Sequence, residues 1–167
     1  AVLHLEKCFE LTNIKPYDET DGSGELKFVI VNVTRNMDLP AHPYESVQLS
    51  LIINADNAKN KTAECQTKIS NIKTLGKLLL ARNKKLDEEN LPVHSLWIHY
   101  NLTWKHSNAI FNFAENSWEK VYGPNTCEEI VSLKNGESYP EVRLNFGPNV
   151  FRQANQVAFG GIINRIR

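Results

Sequence analysis

The sequence predicts an α+β fold: a single domain with a mainly antiparallel sheet, packed with one long amphipathic helix and two shorter helices. Three observations point there. Glu25–Thr34 and Ser95–Lys105 have the length and period-2 pattern of strands. Thr67–Lys85 carries its apolar residues at helical spacing. The chain has 167 residues, 41% hydrophobic and 23% charged, which suits one globular domain with a sizeable core.

Each element has its own signal. Leu3, Leu5, Phe9 and Leu11 suggest a first extended stretch, and Asp18–Gly24 a flexible loop rich in Asp and Gly. Residues 1–24 are therefore expected to form an N-terminal extended segment and loop, ahead of a globular domain over 25–167. In Glu25–Thr34 both faces are apolar, so this strand should be central. Tyr44–Ala55 reads as a strand or a helix start, with β-branched content favouring strand. In Thr67–Lys85, Ile69, Ile72, Leu75, Leu79 and Leu80 share one face. Leu96, Ile98, Tyr100, Leu102 and Trp104 form the buried face of Ser95–Lys105, leaving His99 and Trp97 on the wet side. His106-Ser107-Asn108 is expected to turn the chain into Ala109–Phe113 as a hairpin. Thr126 with Glu129 is a capping box predicting a short helix. Val142–Phe146 reads as a strand. Asn149–Phe159 reads as a helix that Gly160-Gly161 breaks, with Ile162–Ile166 as a final strand.

Charge is unevenly placed although the formal net charge is zero. Lys59, Lys61, Lys68, Lys73, Lys77, Arg82, Lys84 and Lys85 face the single acid Glu64, with acidic stretches on both sides. Such separation suits docking on an anionic surface or on other copies of the chain. Beside an anionic bilayer each lysine adds about 1 kcal/mol. Leu3, Leu5, Phe9, Leu11 and Trp97 are candidates for self-association. Stacked aromatics of the RNA-binding sheet type are not evident.

A catalytic site is not evident either. Cys127 follows Thr126 at an expected helix start, and His99 or His106 is a conceivable base. No spacing supports that pairing, no metal-ligand spacing occurs, and no cofactor is implied. Cys8, Cys65 and Cys127 are three in number, which argues against a disulfide scaffold. The sequons at Asn32, Asn60 and Asn101 leave open a secreted or cell-surface domain with glycans and one disulfide. The opening Ala1-Val2-Leu3-His4-Leu5 lacks the layout of a signal peptide and is expected to be the start of a trimmed or mature chain.

The order of segments resembles the globular domain of rhabdovirus matrix proteins. Glu25–Thr34 resembles its opening central strand. Tyr44–Ala55 and Ile69–Lys85 resemble the segments that follow, and Leu96–Trp104 a later long strand. Phe151-Arg152-Gln153-Ala154-Asn155-Gln156-Val157-Ala158-Phe159-Gly160, then Ile162-Ile163, is similar to that family's late helix running into an apolar strand. The resemblance implies a non-enzymatic, matrix-type structural protein that self-assembles and binds anionic membrane and viral nucleocapsid. It also implies a place beneath a virion envelope and in host cytoplasm or nucleus. The acidic N-terminus and the lack of a Pro-rich budding motif depart from that family. A Cys127-dependent enzyme is the third expectation.

Overall fold

The computed structural model describes residues 2–34, 46–56, 62–83, 93–103, 110–111, 114, 116–132, 141–150 and 156–166. The fold is α+β, as the patterning predicts. Two compact units emerge, Ala1–Pro124 and Asn125–Arg167.

The first unit holds α1 (Val2–Glu10), β1 (Leu26–Thr34), β2 (Ser46–Ile53), α2 (Ala63–Asn83), β3 (Val93–Tyr100) and β4 (Trp118–Tyr122). The strands form one sheet in the order β1-β2-β3-β4. β1 and β2 are antiparallel, with Val29 opposite Leu51. β2 and β3 are parallel, with Leu51 opposite Ile98. Parallel neighbours need a long crossover, and α2 supplies it. β3 and β4 are again antiparallel, with His99 opposite Trp118.

The core lies between α2 and one sheet face. Ile72, Leu75 and Leu79 of α2 meet Leu49, Leu51 and Ile53 of β2 and Leu96, Ile98 and Tyr100 of β3. Burial of each large aliphatic side chain contributes about 1.5–3 kcal/mol. Gly76 lets α2 come close to β3, because a Cβ there would sit 2.8 Å from Leu96 Cδ2.

Three expectations change in this unit. The opening stretch is helical, not extended. Its anchor is Cys8, fully buried in the core with Phe9 packed beside it. Leu5, Cys8 and Phe9 have the i, i+3, i+4 spacing of a helix, a pattern hidden when cysteine is not counted as apolar. The Asp18–Gly24 loop is tied: Asp18 N donates to the Ser23 carbonyl at 2.9 Å, and Gly22 N to the Asp18 carbonyl at 2.9 Å. Gly24 has φ +87°, and a Cβ there would collide with the Pro16 carbonyl. Finally, β1 is an edge strand with Val31 and Val33 exposed, and β2 is the strand buried on both faces. Hydropathy reports whether a face can be buried, whereas position in the sheet depends on the connections.

The second unit pairs β5 (Cys127–Ser132) with β6 (Glu141–Phe146) and adds α3 (Gln156–Ile166). β5 replaces the helix expected from the capping box. Ladder pairing with β6 outweighs a local cap in so short a segment. α3 runs through Gly160-Gly161 and continues over the residues expected as a final strand. A glycine costs a helix roughly 1 kcal/mol relative to alanine without ending it. The hairpin return over Ala109–Phe113 is not formed by Ile110 and Phe111, the two described residues there; β3 pairs with β4 instead.

Candidate functional site

Of the basic residues expected to form a ridge on α2, Lys68, Lys73 and Lys77 have described side chains. Lys68 Nζ lies 3.0 Å from Glu64, one helical turn away. Lys73 Nζ lies 2.7 Å from Glu119 on β4. Lys77 is exposed, one helical turn from Lys73, with Ser70 and Thr74 on the same side. Thr67 and Thr74 turn their hydroxyls back to the carbonyls of Ala63 and Ser70, each at 2.9 Å. The backbone of Arg82 belongs to α2, while its side chain and all of Lys59, Lys61, Lys84 and Lys85 lie outside the described residues. Of the self-association candidates, Phe9 packs on its own core, Leu11 is exposed and Trp97 is half-buried. Leu3 and Leu5 belong to α1, with side chains outside those described.

The sheet brings together groups that are far apart in sequence. On the helix side, the Glu119 carboxylate receives the Tyr100 hydroxyl as well as Lys73. Burial alone would raise the Glu119 pKa, but bonds from Lys73 and Tyr100, with the Lys73 charge, hold it below the usual value. Burial, reinforced by Glu119, pushes the Tyr100 phenol up.

The opposite sheet face carries an aromatic cluster. Residues of β3 alternate, so Trp97 and His99 point away from the core that Leu96, Ile98 and Tyr100 enter. His99 stacks on Trp118 of β4 with centroids 4.3 Å apart and planes 27° apart. Phe111 meets His99 edge-on at 5.7 Å and Trp118 at 5.5 Å. His99 is fully buried, not on the wet surface expected for it. Its Nδ1–H donates to the Ser117 carbonyl at 3.1 Å, which fixes the tautomer. Burial, opposed by that bond, lowers its pKa to about 4, so the ring is neutral at ordinary pH. Lys120, opposite Trp97, is exposed on the same face. Trp97 Nε1, Ser50 Oγ and Gln48 Nε2 are buried without a hydrogen-bond partner. Sequence reading missed this cluster because Phe111 and Trp118 stand 12 and 19 residues from His99, and β4 has too few residues to show a period.

A cleft of about 260 Å³ opens at the carboxyl ends of the parallel strands β2 and β3, beside the start of α2. Asn54, Asp56, Thr62, Glu64, Cys65 and Lys68 line it, with Ala55 and Leu102 as apolar walls. This is the usual ligand position for parallel strands, but the lining mixes both charge signs and selects no one chemistry. Among the described residues no group of three or more His, Cys, Asp or Glu is placed to hold a metal ion.

The thiol chemistry considered from sequence loses its basis. Cys127 lies in a strand, not at a helix start, and is fully buried with Sγ 3.5 Å from the Phe146 carbonyl. His106 lies outside the described residues. Cys8, Cys65 and Cys127 are free thiols, so the disulfide that the secreted-domain alternative carried is not formed. Asn101, one of the three sequon positions, is buried; Asn60 lies outside the described residues. No described helix is long and apolar enough to cross a membrane.

No family model matches the chain. Over 168 aligned residues the whole chain is 25% identical to an uncharacterized RNA methyltransferase of Protochlamydia amoebophila (strain UWE25), and it spans 36% of that protein's length. This finding corrects the expectation of a non-enzymatic viral structural protein, since the similarity points to an enzyme. The lack of a sharp catalytic pair in the sequence does not exclude catalysis. A chain matching about a third of an enzyme need not hold its reacting groups.

Proposed function

We propose that this chain is part of an RNA methyltransferase and that its contribution is to hold the RNA. The observation that carries this reading is the similarity to an RNA methyltransferase along the full length of the chain. Methyl transfer requires an acceptor nucleotide held in a near-attack geometry, and positioning alone removes about 7–11 kcal/mol from such barriers. The β4 end of the sheet face that carries His99 and Trp118 supports the reading. It offers fixed aromatic planes and an exposed lysine, the two ingredients of nucleic-acid grooves.

The test is fluorescence anisotropy of a labelled oligoribonucleotide titrated with this chain at about 50 and about 200 mM NaCl. Affinity should fall with salt, the logarithmic slope reporting about 0.7 per phosphate contacted on a single strand. Flotation with anionic vesicles runs beside it. Absence of RNA binding at the lower salt, or capture by vesicles with none by RNA, overturns the proposal.

A further inference from the structure

We infer that the RNA held by this chain is single-stranded and that an unpaired base stacks on Trp118 at the β4 edge of the sheet. The inference rests on the RNA reading above and names the form of RNA that reading takes.

The geometry is that of a braced plane. His99 covers one face of the Trp118 indole at 4.3 Å, and Phe111 supports its side at 5.5 Å. His99 is itself immobilised by full burial and its bond to the Ser117 carbonyl. The indole therefore loses little further freedom when a ligand stacks on it. Trp118 is only half-buried and belongs to β4, the last strand of its sheet. Burial declines across this face toward that edge: Ser50 and His99 are fully buried, Trp97 and Trp118 half-buried, and Lys120 exposed.

The nearby charge fits the same occupant. Lys120 stands two residues along β4 from Trp118 and opposite Trp97, and is exposed on the same face. A duplex hides its base planes within its own stack, so such a platform selects unpaired bases.

The test compares a short oligouridylate with the same strand annealed to its complement, using anisotropy and intrinsic tryptophan quenching. Wild type should favour the single strand by about tenfold or more. Trp118→Ala should weaken single-strand binding about 5- to 150-fold, as loss of one base stack does. Trp118→Phe keeps a ring and should keep most of the affinity while losing most of the quenching; it also serves if the alanine variant fails to fold. Lys120→Ala should lower the salt slope by about 0.7. Equal binding by folded Trp118→Ala, quenching unchanged in Trp118→Phe, or preference for the duplex overturns the stacking inference while leaving the RNA reading in place. Failure of wild type to bind either form overturns both.

Discussion

Lys73 Nζ stands 2.7 Å from Glu119 Oε1, joining the middle of α2 to β4, while the Tyr100 hydroxyl occupies the other carboxylate oxygen. The two partners have different weights. The Lys73 and Glu119 side chains are 43% and 34% exposed, so their ion pair is screened and Lys73→Ala should cost only about 0.5–1 kcal/mol. Tyr100 is 2% exposed, so Glu119→Leu strands a buried hydroxyl and should cost about 1–3 kcal/mol. Urea unfolding of both variants measures the order. The Glu119 pKa is lowered in the fold, so its contribution is complete above about 4.5 and is lost as pH falls through the folded value. Glu119→Gln should flatten that acid limb.

His99 provides a second pH dependence at higher pH. Its folded pKa is about 4 against an ordinary 6.5. Between these values the unfolded chain binds the extra proton, so stability rises with pH. The contribution is complete above about 6.5 and declines as pH falls toward about 4. The loss should total roughly 3 kcal/mol at about 1.4 kcal/mol per unit. Urea midpoints across this range check it, and His99→Phe should abolish the slope. Slopes equal in wild type and variant would place the titration elsewhere.

These two groups show how far the sequence could be read. The segments β1, β3, β6 and α2 were legible because each carries a clear period and enough residues to display it, whereas Tyr44–Ala55, which holds β2, read as strand or helix start. The pairing of β2 with β3 was not legible, since alternation is the same for parallel and antiparallel neighbours. α1 was misread because Cys8, its buried anchor, did not count as apolar. β5 was misread because a cap signature is local and its ladder with β6 is not. The site was hidden for the same reason. Glu119, Tyr100 and Lys73 meet only after the crossover is made, and His99 reads as polar until Trp118 and Phe111 close over it.

Lys27 ties the start of β1 to the chain leaving β3. Its Nζ donates to the Asn101 and Thr103 carbonyls, each at 2.7 Å, and lies 4.8 Å from the centre of the Tyr17 ring. Burial lowers its pKa to about 8 from an ordinary 10.5. Over that interval the unfolded chain holds more protons, so this group should make the fold more stable as pH rises from about 8 to about 10.5. Lys27→Met should remove that dependence. It should also cost about 1–3 kcal/mol at neutral pH, because two carbonyls lose their donor. Denaturant midpoints on both sides of pH 8 measure each effect.

Asn101 closes the carboxyl end of β3 with both ends of its amide. Nδ2 donates to the Ile110 carbonyl at 2.9 Å, and Oδ1 accepts from Thr103 N at 2.8 Å. The backbone N–H donates to the Ile53 carbonyl at 3.0 Å, and the residue is 1% exposed. Aspartate keeps the acceptor but turns the donor into a carboxylate oxygen facing a carbonyl. Asn101→Asp should therefore cost at least about 2 kcal/mol, and more at neutral pH than below the carboxylate range, where protonation restores a donor. Asn101→Ala leaves both partners unmet but places no charge there, so its loss should not vary with pH across that range. The same burial bears on the sequon that Asn101 begins. In a chain passed through a glycosylating compartment, glycan should be absent from Asn101 in the folded fraction by peptide mass mapping. Occupancy there would show that the β3 end opens, contradicting the amide geometry.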